Sequence, residues 1–171
     1  MGYTEIAQIV KSALEEREIA YDTKGSGGAQ TEHVVVELPG EKKLKTTVLL
    51  TAEQHGLRVE AFVCRHPDED FEQVYKYLLK RNRRIYGVAY TLDNVGDIYL
   101  VGRISADAVT PDEIDRVLGQ ILEAADSDFN ILLEIGFHTS IQREWAWRVS
   151  RGEPQHNLRA FEHIIDKDEK G

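Results

Sequence analysis

The sequence predicts an α+β protein, a single antiparallel sheet of about five strands with helices packed on it and a helical C-terminal extension. Three observations predict this. Residues 33–64 hold three runs that alternate apolar and polar with period two, the pattern of strands buried on one face. Residues 86–104 hold two more, split by Asp93-Asn94-Val95-Gly96, whose residue types make turns. Around these runs the apolar period shifts to three and four, as in amphipathic helices. The order helix, three strands, helix, two strands, helix puts the strands in hairpins and leaves the helices to cover one sheet.

Each element has its own justification. Residues 3–18 place Tyr3, Ile6, Val10, Ala13 and Leu14 on one side of a helix, with Lys11, Glu15, Glu16 and Glu18 mainly elsewhere. A short segment, Ile19-Ala20-Tyr21, leads into the glycine-rich loop Lys24-Gly25-Ser26-Gly27-Gly28. Residues 33–38 alternate as Val34, Val36 and Leu38 and are stopped by Pro39-Gly40. Residues 44–51 alternate as Leu44, Thr46, Val48 and Leu50, and residues 57–64 as Leu57, Val59, Ala61 and Val63. Both connections are short, so the three form a meander.

The chain is organised around residues 74–104. A helix over 68–82 stacks Val74, Tyr75, Leu78 and Leu79 in one apolar stripe. It starts on Asp68-Glu69-Asp70 and ends on Lys80-Arg81-Asn82-Arg83-Arg84, the charge order that the helix dipole favours. The period then becomes two, with Tyr86, Val88, Tyr90 and Leu92 on one face, followed by Ile98, Leu100 and Ile104.

The next helix, residues 110–136, has the clearest start. Thr110 stands at the N-cap, Pro111 at the first helical position and Glu113 at the third, a capping box. Ile114, Val117, Leu118, Ile121, Leu122 and Ala125 form its core stripe; a bend is expected near residues 126–130 before Gly136 ends it. Residues 140–151 continue as a helix carrying Trp145 and Trp147. After Gly152-Glu153-Pro154 a last short helix holds Leu158, Phe161, Ile164 and Ile165. This segment is too apolar to stay in water, so it docks on its own sheet or across a two-fold interface. One domain spans residues 1–165, and the charged residues 166–171 form a disordered tail.

At 171 residues, 42% hydrophobic and 30% charged, the chain suits one globular domain. A net charge of −9 argues against nucleic acid as the main partner. No apolar run approaches the ~20 residues that span a bilayer. With no basic, apolar leader at the N-terminus, the expected compartment is cytoplasmic.

No catalytic or cofactor motif emerges. Asp126, Asp128 and Asn130 begin like a calcium loop, but Ile131 and Phe137 stand where its glycine and glutamate belong. These acids therefore read as helix-kink or surface residues, and no metal or other cofactor is expected. The six histidines, among them His138, His156 and His163, lack ligand spacing. The sole cysteine, Cys64, reads as an inert thiol within a strand.

Two clusters are candidates for partner binding. Lys80, Arg81, Arg83 and Arg84, interleaved with tyrosines, can contact an acidic peptide or RNA; the plainer reading is charge complementing the helix dipole. Trp145, Trp147 and Arg148 are residue types enriched in binding hot spots, and equally suit a lid on the core edge.

The stretches YKYLLKRNRRIYGVAY (75–90), GDIYLVGRI (96–104), DEIDRVL (112–118), DFNILLEIGF (128–137), Arg143-Glu144-Trp145 and NLRAF (157–161) resemble the YbjN family of bacterial sensory transduction regulator type, in particular its actinobacterial branch. The resemblance implies a fold similar to type III secretion chaperones, compact domains that dimerise and bind an extended client segment. It also implies that the C-terminal extension competes for the client surface. It supplies no catalytic residues. The expected function is a non-enzymatic protein-binding module, a chaperone-like or regulatory adaptor with a protein or peptide partner and a possible homodimer. A sensor of small anions, or an enzyme whose site forms only in the fold, is the alternative.

Overall fold

The alternation in residues 33–64 folds as a meander of β2 (Glu32–Pro39), β3 (Lys45–Glu53) and β4 (Gly56–Cys64). The computed structural model describes residues 1–25 and 28–164. Helix α1 (Tyr3–Glu16) and a short strand, β1 (Tyr21–Lys24), precede the meander. Helix α2 (Phe71–Asn82), the hairpin β5 (Ala89–Leu92) and β6 (Ile98–Ser105), α3 (Pro111–Gly136) and α4 (His138–Arg151) follow it. Short 3₁₀ turns cover Ala106–Ala108 and His156–Phe161. Ser26, Gly27, Ile165 and the expected tail at 166–171 lie outside the described residues.

The strands form one antiparallel sheet in the order β1-β2-β3-β4-β6-β5. It has six strands where the sequence suggests about five. The additional strand, β1, escapes periodicity because it is a four-residue edge with only Tyr21 partly covered. The other edge, β5, is equally short, and short edges limit unwanted pairing.

One face of this sheet is the core. A row running Tyr21, Val36, Val48, Ala61, Leu100 and Tyr90 crosses all six strands, and Val36, Val48, Ala61 and Leu100 are fully buried. Helix α1 lays Ile6, Ala7, Val10, Ala13 and Leu14 against it. Helix α3 adds Ile114, Val117, Ile121, Ala124 and Ala125. At ~2 kcal/mol for each large side chain buried, this face supplies most of the favourable folding energy. A Cβ on Gly102 would stand 2.1 Å from the Gly87 carbonyl oxygen, so β6 needs glycine where residues 87 and 88 cross it.

Several sequence expectations shift. Leu79 is 67% exposed, because α2 packs only Val74 and Leu78 into the core. Tyr86 precedes β5, donates its hydroxyl to Glu113 and is exposed. Leu92, at the end of the short edge strand, is 45% exposed. Only half of the capping box forms. Thr110 Oγ1 accepts from Glu113 N at 3.2 Å, while the Glu113 carboxylate turns to Tyr86 and Arg116.

Helix α3 runs unbroken through residues 126–130, where a bend was open to expectation. Its two aspartates find partners off the helix instead of competing for its backbone. Asp126 Oδ1 accepts from Lys42 N (2.8 Å) and Lys43 N (3.0 Å). Asp128, only 2% exposed, accepts from Tyr77 Oη, Tyr90 Oη and Arg81 Nε at 2.5, 2.6 and 2.9 Å. A position read as kink or surface is thus the polar centre joining α2, α3 and β5.

The C-terminal extension docks on its own chain, burying Ile141, Phe161 and Ile164. Helix α4 is tied to the start of α2: Ser140 Oγ donates to Asp68 (2.7 Å), and Thr139 donates its N–H (2.6 Å) and hydroxyl (2.9 Å) to Glu69. It packs on the helical side of the molecule, against α3.

Candidate functional site

Helices α1 and α3 pack on one face of the sheet, and at the border of the other face Phe62 shares a cleft with Ile141 and Glu144 of α4 and with Leu158. Period two sends Val35, Leu49, Glu60, Val101 and Ala89 outward in one row across β2, β3, β4, β6 and β5. Beside it Phe62 stands opposite Tyr99, and Thr91 opposite Tyr99 on the far side. Phe62 and Tyr99 meet edge to face at 5.5 Å between centroids. A solvated sheet face normally alternates to polar residues. Here Leu49, Phe62, Tyr99, Val101 and Leu92 line a shallow depression of about 500 Å³ bordered by Thr47, Glu60, Thr91 and Asp93. Phe62 is 39% exposed.

Charge surrounds this strip. Glu60 pairs with Arg58 at 3.4 Å, and Arg103 lies opposite Arg58 in the next row. Burial, with the nearby Asp93 and Asp97 charges, raises the Tyr99 phenol pKa, so its hydroxyl is protonated at neutral pH. The face therefore offers an apolar centre, an aromatic pair, one phenolic donor and a charged rim. That composition suits protein contact. It offers no nucleophile and base in register.

The clusters singled out in the sequence lie elsewhere and apart. Tyr77, Lys80, Arg81, Arg83 and Arg84 share one polar depression at the end of α2. Within it Lys80, Arg83 and Arg84 are exposed, whereas the Arg81 guanidinium is committed to Asp128 and lies 3.7 Å from Glu123. Helix α4, joined to the opposite end of α2, carries Trp145, Trp147 and Arg148. Trp145 is half-buried, and Trp147 is 48% exposed with the Arg151 guanidinium 4.8 Å from its ring. Arg148 bonds Glu144 Oε1 (2.7 Å) and the Pro154 carbonyl (3.1 Å), which fixes the turn after α4.

Possible chemistry is sparse. Burial pushes the Cys64 thiol up to about 11, against thiolate formation. His163 pairs with Glu134 at 2.7 Å, and His138 bonds Gln142, so they do not converge. Among the described residues no group of three or more His, Cys, Asp or Glu could hold a metal, and no helix is long and apolar enough to cross a membrane.

The signal for the open face was present in the sequence. Val35, Leu49, Phe62, Tyr99 and Val101 are the off-phase positions of their strands, where alternation calls for polar residues, while the on-phase residues by themselves suffice for a core.

Residues 7–134 match the family model described as "YbjN: Putative bacterial sensory transduction regulator". The chain belongs to the YbjN family. The "Uncharacterized protein Rv0487" of Mycobacterium tuberculosis is 58% identical over 159 residues, 93% of this chain and 87% of that protein. The "Uncharacterized protein ML2442" of Mycobacterium leprae is 56% identical over 163 residues, 95% of this chain and 89% of that one. In fold, the chain is similar to one from the heterodimeric ExoU–SpcU complex of the Pseudomonas aeruginosa type III secretion system. The TM-score is 0.51 at 15% identity, covering 71% of this chain and 94% of that one. A chain of the ExsC–ExsE complex matches with TM-score 0.53 at 20% identity, covering 75% and 94%. These likenesses show a shared fold, the one that the resemblance in sequence implied.

Proposed function

We propose that the protein is a non-enzymatic adaptor that binds a protein partner across the uncovered face of its sheet. The observation that carries this reading is the apolar strip of Leu49, Phe62, Tyr99 and Val101, lying outward on a sheet whose other face already holds a complete core. Apolar side chains of a partner would remove these groups from water, at ~25 cal/mol per Å² covered. Two solved chains of the same fold come from protein–protein complexes, which supports the reading without locating the contact.

The sequence-derived candidates take graded roles. Lys80, Arg83 and Arg84 form a secondary cationic contact for acidic side chains of the partner. Arg81 belongs to the fold through Asp128. Trp145 and Arg148 brace α4, and Trp147 is the exposed member of its cluster.

The test places a photo-crosslinking benzoylphenylalanine at Phe62, Tyr99 or, as a control on the helical side, Leu79, in a mycobacterial host. The expected result is one and the same protein captured from Phe62 and Tyr99 but not from Leu79. Its complex with the purified chain should be weakened by Phe62→Ser plus Tyr99→Ser at unchanged thermal midpoint. Capture from Leu79 alone, or a complex indifferent to the double substitution, refutes the assignment. Crosslinks only to a second copy of the chain would make the face a homodimer interface and end the adaptor reading.

A further inference from the structure

A second concavity meets the open face at Phe62 and lies between the end of β4, the last turns of α3 and the start of α4. Its volume is about 500 Å³, within the ~300–1,000 Å³ usual for small-molecule sites. Cys64, Phe129, Leu133, Phe137, Ile141 and Leu158 make its walls apolar. Three charged side chains also line it: Lys43, Arg65 and Glu144. Two are neutralised within the chain. Arg65 pairs with Asp68 at 2.8 Å, and Glu144 with Arg148 at 2.7 Å.

Lys43 is the exception. Its Nζ lies 5.6 Å from the Phe129 ring centroid and donates only to the Lys45 carbonyl at 2.7 Å; it has no ion pair with any described carboxylate. Burial lowers its pKa, the direction expected of an ammonium that lacks a counter-charge.

The loop fixes the backbone that carries this ammonium. Asp126 on α3 accepts the Lys42 and Lys43 N–H groups. The turn can close on it because residue 40 is glycine, where a Cβ would stand 2.3 Å from the Lys43 carbonyl oxygen and 2.6 Å from Asp126 Oδ1. An apolar cleft with one uncompensated cation is complementary to a molecule with an apolar body and a single anionic head.

We propose that this cleft binds a small amphiphilic carboxylate, its chain among Phe129, Leu133, Phe137 and Ile141 and its head on the Lys43 ammonium. The site is independent of the protein-binding reading, although Phe62 lines both concavities.

The experiment is titration calorimetry of the full chain with decanoate below its micelle concentration, with decan-1-ol and decyltrimethylammonium as neutral and cationic probes. Decanoate should bind at one site per chain, and decanol about tenfold more weakly for want of the charged hydrogen bond. The ammonium probe should bind more weakly still. Lys43→Met should abolish the preference for decanoate over decanol, and Leu133→Trp, which fills the cleft, should remove both. Since Leu133→Trp can disturb packing, the decision rests on Lys43→Met, a loop substitution whose fold is checked by circular dichroism. No decanoate binding, equal binding of acid and alcohol, or a preference that survives Lys43→Met each overturns the proposal.

Discussion

Asp128 is the residue whose removal should cost the fold most per atom lost. Its carboxylate, almost wholly buried, holds two phenol hydroxyls and the Arg81 guanidinium. Asp128→Ala deletes all three acceptor contacts and leaves Arg81 without its buried partner. Breaking a buried pair from one side costs ~3–5 kcal/mol. At ~2–4 °C per kcal/mol for a domain of this size, the thermal midpoint should fall by about 6–20 °C. Asp128→Asn keeps the volume but presents an amide N–H₂ to donors, so it should recover only part of the loss. Tyr90→Phe removes one hydrogen bond to a charged group, worth ~1.5–3 kcal/mol. In a double-mutant cycle Tyr90→Phe and Asp128→Ala should couple by ~0.5–3 kcal/mol, since without Asp128 the phenol keeps only its 3.3 Å bond to the Ala124 carbonyl. Urea and thermal denaturation followed by circular dichroism give every value. A midpoint for Asp128→Ala within ~2 °C of the parent, where 3 kcal/mol was expected, would refute the reasoning. So would strict additivity of the pair.

Three further outcomes are expected. Thr110→Ala should cost ~1 kcal/mol by removing the bond to Glu113 N, read as a small drop in urea midpoint at constant m-value. Gly102→Ala should cost several times as much, because its methyl meets the Gly87 carbonyl. Amide exchange should then show β5 and the lead-in at residues 87–88 losing protection first. Burial, then the bonds to Asp128, raise the Tyr77 and Tyr90 phenol pKa values above the ordinary one. The folded chain therefore keeps protons that the unfolded chain releases from about pH 10 upward. Stability is fully present below that pH and falls as pH rises above it. Urea midpoints between pH 8 and 11 should show the fall, and Tyr77→Phe plus Tyr90→Phe should flatten it.

What the sequence determined by itself was local. Period two in residues 33–64 and 98–104 and period 3.6 in the helices are properties of neighbouring residues, so strands, helices and the Thr110 start could be read without coordinates. Most of the core followed too, because burial of one face is what alternation encodes; Leu44, Leu79, Tyr86 and Leu92, at element ends or off the packed stripe, are on phase yet exposed. Only tertiary structure decided the partners. Asp128 looks like any mid-helix acid until Tyr77 and Arg81 from α2 and Tyr90 from β5 converge on it. Arg81 looks like one cation of a basic run until that carboxylate takes it. The strand β1 is invisible alone, since a four-residue edge exists through its hydrogen bonds to β2 rather than through a pattern of its own. Whether Leu49, Phe62, Tyr99 and Val101 were covered or bare depended on where α4 and the last turn would dock, and apolar side chains carry no address. The cation Lys43 is set against an apolar cleft by a contact between residues 126 and 43, which lie far apart in the chain and next to each other only in the fold.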